Sequence, residues 1–215
     1  MSVKWSFLSL LLLPSILSAA PVVTIEPGAI QATGVTPASK VVFFGVVREG
    51  QGYRFRVTAR EEVVEDSDQD GSVRLDLGRP VAFRSIWAAV DLASGEYTVA
   101  SPAGYTPTRL DFPTAALRSR AGGNGKPDRL IERRYSLELL VVRPGQGAWR
   151  QTLGDGDPDD GDHAANGRVE WSMGKSRAVR GGPPAPADLD PGDVIVAIDP
   201  TRMEFYATRL PGGRP

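Results

Sequence analysis

Apolar and polar residues alternate with period two over several short stretches, the pattern of strands buried on one face. Tyr53, Phe55, Val57 and Ala59 fall on one face of the run from Tyr53 to Arg60. Val73-Arg74-Leu75-Asp76-Leu77 and Val169-Glu170-Trp171-Ser172-Met173 alternate in the same way. Val41 to Val47 and Val194 to Ile198 are instead continuously apolar and bounded by turn residues. Such runs predict strands buried on both faces. No long i, i+3, i+4 stripe occurs, and Pro113 to Arg120 is the best short-helix candidate.

Loops are marked by Gly and Pro. Ala121 to Pro127 predicts a flexible turn, Gly181 to Gly192 an extended connection, and Pro211 to Pro215 a disordered tail. The predicted class is all-β: an antiparallel β-sandwich of immunoglobulin-like character. One arrangement of it is two related β modules, 21–108 and 109–210, either separate or sharing one core.

A weak internal repeat supports that arrangement. Asp66 to Gly78 lines up with Asp162 to Gly174, pairing Val73, Leu75 and Leu77 with Val169, Trp171 and Met173. Val90-Asp91 with Glu96-Tyr97 lines up with Ile198-Asp199 with Glu204-Phe205. Tyr53 is matched to Tyr135 upstream. The offsets are unequal, so a duplication needs loop insertions in the second half. The competing reading is that any two turn-then-strand units look alike in an all-β chain.

The first 20 residues read as a secretory leader. Lys4 is their only charge, Phe7 to Leu17 is an apolar run, and Ser18-Ala19-Ala20 supplies small residues for cleavage. About 11 apolar residues are too few to cross a bilayer, which needs roughly 20. A secreted or periplasmic location is expected, with no membrane span after cleavage.

Charge and composition narrow the function classes. A net charge of −1 lacks the basic excess of a general nucleic-acid binder. Zero Cys excludes disulfides, thiolate metal sites and Cys nucleophiles. An exported chain of this kind is held together by core packing or by metal.

The acidic loops carry the strongest chemical signal. Glu61, Glu62, Glu65, Asp66, Asp68 and Asp70 crowd one loop, and Asp155, Asp157, Asp159, Asp160 and Asp162 another. So many carboxylates repel unless a cation or solvent screens them. Asp66-x-Asp68-x-Asp70-Gly71-Ser72-Val73 resembles the first half of an EF-hand-type calcium loop, as in dockerin and thrombospondin-type repeats. The resemblance covers eight residues. It implies side-chain ligands at positions one, three and five, a turn at Gly71, and a backbone carbonyl from Ser72. Position twelve departs from the pattern: it is Leu77, not a bidentate acid, and Asp76 stands one residue early.

Affinity of roughly 0.1–1 mM, that of extracellular modules, is expected. In the second loop Asp155, Asp157 and Asp159 keep the one-three-five spacing, but Asp160 replaces the Gly, and Asp160, Asp162 and Asn166 are substitute ligands. The competing reading for both loops is a solvated hairpin.

Other signals are weaker. His163, the one His, lies in the second acidic loop, where a single imidazole rarely makes a metal site. Leu189 to Asp199 resembles the PDZ segment that runs "PGDVIVAI" in bacterial proteases. Neither a Gly-Leu-Gly-Phe-like loop nor a groove helix accompanies it, so the competing reading is a turn feeding a buried strand. Glu132, Glu138, Glu170 and Glu204 are candidate hydrolytic carboxylates, but nothing in the sequence pairs them. Glu138, Glu170 and Glu204 are expected on solvent faces. Trp87 and Trp171 are expected in the core, and Trp149 exposed.

The sequence therefore predicts an exported, non-enzymatic structural or binding module with Ca²⁺-binding acidic loops. Its further partners would be another extracytoplasmic protein or a glycan. The alternatives are a peptide- or carbohydrate-binding accessory module and a carboxylate-pair hydrolase.

Overall fold

The computed structural model describes residues 19–51, 54–109, 129–132, 136–159, 163–165 and 169–211. Several expectations fall outside them: most of the leader, the helix at 113–120, the turn at 121–127, Tyr53, Tyr135, Asp160, Asp162, Asn166 and the last four residues.

The chain is almost all β, 53% strand, with no α-helix among the described residues. The first half supplies β1 (Val22–Glu26), β2 (Ala29–Thr33), β3 (Lys40–Gln51), β4 (Arg54–Glu65), β5 (Ser72–Asp76), β6 (Ser85–Asp91) and β7 (Tyr97–Ala100). The second supplies β8 (Thr108–Arg109), β9 (Arg129–Glu132), β10 (Ser136–Arg143), β11 (Gly147–Gly154), β12 (Val169–Ser172), β13 (Arg177–Ala178), β14 (Val194–Asp199) and β15 (Glu204–Arg209).

The described residues form four sheets: β1-β2-β5, β4-β3-β6-β7, β13-β11-β10-β14-β15-β8, and β12-β9. All pairs are antiparallel except the short β15–β8 contact.

Strand alternation decides what each sheet covers. Val42, Phe44 and Val46 of β3 share one cluster with Leu140 and Val142 of β10, so residues of both halves lie in a common core. The opposite face of β3, with Val41, Phe43 and Val47, is covered by Ile30 and Ala32 of β2 and Val73 and Leu75 of β5. The opposite face of β10, with Leu137, Leu139 and Val141, is covered by Val169 and Trp171 of β12. Val41 to Val47 in β3 is thus buried on both faces as expected, and so is Val194 to Ile198 in β14, with Val194, Val196 and Ile198 in the shared core and Ile195 and Ala197 on the β12 side. Burying apolar area at roughly 25 cal/mol per Å² on two faces makes β3 and β10 the centre of the fold.

One strand order occurs twice. The order β4-β3-β6-β7 recurs as β11-β10-β14-β15, and the pair β2-β5 recurs as β9-β12. Val42 faces Val90 on β6, and Glu138 faces Ile198 on β14, which makes β10 the counterpart of β3. The Tyr53–Tyr135 match does not fit this order. Tyr53 precedes β4, whereas Tyr135 precedes β10.

Candidate metal centre

The β4–β5 loop is built around one inward carboxylate. The β3–β4 ladder closes at the Lys40–Glu65 pair, and the Asp66 amide then donates to the Ser39 carbonyl at 2.9 Å. This turns the Asp66 side chain inward, where it is 1% exposed. Its Oδ2 accepts the Gly71 amide at 3.1 Å and the Ala38 amide at 3.2 Å. The position-one carboxylate thus grips the position-six amide and closes the loop on itself.

Gly71 is needed for two reasons. Its φ is +77°, a region side chains rarely adopt, and a Cβ there would press on the Val35 carbonyl oxygen at 3.3 Å. Its own carbonyl accepts the Gly34 and Val35 amides at 2.9 and 3.1 Å.

Two amides occupy Oδ2, but Oδ1 of Asp66 is buried with no hydrogen-bond partner. A buried polar atom without a partner carries a desolvation cost. Asp68 and Asp70 are exposed, and one carboxylate oxygen from each of Asp66, Asp68 and Asp70 lies within 4.8 Å of the others. Hard oxygen donors at this spacing suit Ca²⁺. Ser72 faces Thr33 between ladder bonds, beside the Gly34–Gly71 bond, so its carbonyl is not spent on β2. Its Oγ accepts from Gln31 Nε2 at 3.2 Å.

Other sequence candidates are placed elsewhere. Asp76 is 77% exposed on β5, ion-paired with Arg74 at 3.0 Å, and does not join the triad. Leu77 packs against the β2–β3–β5 core, so position twelve supplies packing and not an oxygen ligand. Asp157 and Asp159 are exposed and Asp155 is half-buried. The Asp157 amide donates to the Gly154 carbonyl at 2.9 Å, and the Asp159 carbonyl accepts from Gln151 Nε2 at 3.4 Å. Among the described residues they form no converging group. Asp162 lies outside the described residues. His163 is exposed with φ +54° and joins no group of ligating side chains among them.

Two expectations are corrected. Trp149 is 2% exposed, not solvent-facing. It packs against Leu139 and Val141, and its Nε1 donates to the Pro183 carbonyl at 2.8 Å. Glu138 is buried, not on a solvent face. It accepts from Thr152 Oγ1 at 2.8 Å and from Arg150 at 3.3 Å. Burial pushes its carboxyl up, further than Thr152 and Arg150 pull it down. Trp87 and Trp171 are core residues, as expected.

Asp91 was missed as a structural carboxylate, although the repeat flagged it beside Asp199. It is 1% exposed and accepts from the Thr36 amide at 2.8 Å, the Ala93 amide at 2.9 Å and the Ser39 hydroxyl. Asp66 and Asp91 thus bracket the segment from 36 to 39 from two sides.

No family model matches the chain, and no curated protein or solved structure matches it significantly.

Proposed function

We propose that this chain is an exported, non-enzymatic β-sandwich module of immunoglobulin-like kind that binds Ca²⁺ in its β4–β5 loop. Asp66, Asp68 and Asp70 supply carboxylate oxygens, and Ser72 supplies its carbonyl. The observation that carries the reading is the buried Oδ1 of Asp66, which has no partner and belongs to a converging triad. A cation offers that oxygen the partner it lacks and neutralises the two exposed carboxylates beside it. The sandwich reading is supported by the single cluster that β3 and β6 share with β10 and β14.

The ion stiffens a loop and performs no reaction. Binding of another extracytoplasmic protein or a glycan is the role proposed for the module as a whole. With Leu77 at position twelve, the affinity falls in the roughly 0.1–1 mM range.

Isothermal titration of the chain with CaCl₂ tests this. Submillimolar binding that is lost in Asp68→Asn/Asp70→Asn supports it. Absence of binding, or equal binding by the variant, refutes it.

A further inference from the structure

We infer that Ca²⁺ at the β4–β5 loop is a latch that holds the β1-β2-β5 sheet against the β4-β3-β6-β7 sheet. This rests on the calcium reading above.

Two of the chain segments that join these sheets meet at Asp66. The link from β2 to β3 is tied there through the Ala38 amide, and the link from β4 to β5 through the Gly71 amide. The two links also bond each other directly, because Gly71 accepts the Gly34 and Val35 amides. Each link holds a non-Gly residue in the left-handed region, Ala38 at φ +59° and Gln69 at φ +62°. Such conformations persist only where surrounding bonds over-determine them.

Removing the cation leaves three carboxylates within 4.8 Å, one of them buried. The cost of keeping its partnerless Oδ1 charged and away from water then draws Asp66 outward. That motion surrenders the Ala38 and Gly71 hydrogen bonds together and lets both strained links relax.

The far end of the same interface is tied differently, by an exposed ion pair between Arg79 and Glu49 at 3.0 Å. Val47, Thr58, Arg60, Leu77, Val81 and Trp87 help to line a pocket there. Trp87 Nε1 is buried without a partner. The distance from Val41, near the latch, to Val47, at the pocket, is about 20 Å along β3 at roughly 3.3 Å per residue. The ties at the latch end are therefore the ones that depend on Asp66. Opening the latch exposes the face carried by Val41, Phe43, Val47, Trp87 and Ala89.

Amide hydrogen exchange of the full chain, in excess Ca²⁺ and in EDTA, tests the latch beside calorimetry on the same sample. Chelation is expected to speed exchange in 29–35 and 72–77 as well as 66–71, while β10 and β14 stay protected. At 100 times the Kd the ion favours the closed form about a hundredfold, which bounds the effect. Asp68→Asn/Asp70→Asn should reproduce the chelated pattern in the presence of Ca²⁺. Binding by calorimetry with faster exchange confined to 66–71 overturns the latch but keeps the site. A uniform change across all strands also overturns it. No calorimetric binding removes the site and the latch together.

Discussion

Arg150 and Glu61 occupy the same register position in the two copies of one strand order, and they form an ion pair with each other. Glu61 on β4 faces Phe44 of β3, and Arg150 on β11 faces Leu140 of β10. Phe44 in turn faces Ala88 on β6, as Leu140 faces Val196 on β14. The two halves thus meet where corresponding strands carry opposite charges. Arg150 also holds the buried Glu138, which takes the place of Val42 in the first half.

Arg150→Ala should destabilise the fold by about 3–5 kcal/mol, because it strands a buried carboxylate. Glu61→Gln should cost much less, since Glu61 is the more exposed partner. Urea unfolding of both variants measures the difference. Equal small losses would show that the pair does not hold the halves together.

Glu138 makes stability depend on pH in an unusual direction for a carboxylate. Burial raises its folded-state pKa above the unfolded value. The native state therefore binds the extra proton, and the contribution is full below the unfolded pKa. It is lost as pH rises through the folded pKa. Relative to Glu138→Gln, the native chain should lose stability from about pH 4 upward, starting from the ordinary carboxylate value. Parallel urea midpoints across that range would contradict this.

Asp91 should behave in the opposite sense. Burial pushes its carboxyl up, but bonds from Ser39, Thr36 and Ala93 outweigh burial and hold it below the usual value. Its contribution is present above the unfolded pKa and disappears as pH falls through the folded one. Asp91→Asn should cost about 1–3 kcal/mol at neutral pH, the penalty for weakening bonds to a buried charged acceptor. The difference from the native chain should shrink in acid. A cost independent of pH would contradict the charged role.

Gly45 makes room for Trp87. A Cβ at 45 would lie 2.3 Å from Cε3 of the indole. Gly45→Ala should therefore cost about 1–3 kcal/mol by overpacking. In a Trp87→Leu background the same change should cost less. Additive losses in the double variant would show that the two residues do not collide.

Much of the fold was legible because burial on one or two faces writes a period-two or continuous apolar pattern. Val41 to Val47 and Val194 to Ile198 show this, as do Val73-Leu75 and Val169-Trp171. The correspondence of β5 with β12 in the repeat was legible for the same reason. The counterpart of β3 was not, because its equivalence to β10 lies in ladder register and not in residue type. Glu138 was misplaced because alternation assigns a polar residue to the solvent face. Its partner, Arg150, arrives from the neighbouring strand, which no local pattern records. Trp149 was misplaced for a related reason, since its cover comes from the Pro183 segment. The Asp66 loop was legible because its one-three-five-Gly spacing is local. The role of Ala38 in gripping Asp66 was not, because it is 28 residues away.

A thermal melt in excess Ca²⁺ and in chelator, beside Asp68→Ala/Asp70→Ala, tests the calcium site most directly. At 100 times its Kd a ligand of the folded state adds about 2.7 kcal/mol. At roughly 2–4 °C per kcal/mol for a chain of this size, that is a rise of several degrees. The account predicts that rise in the native chain and its loss in the variant. No shift in either, or the same shift in both, would contradict a calcium site built on Asp66, Asp68 and Asp70.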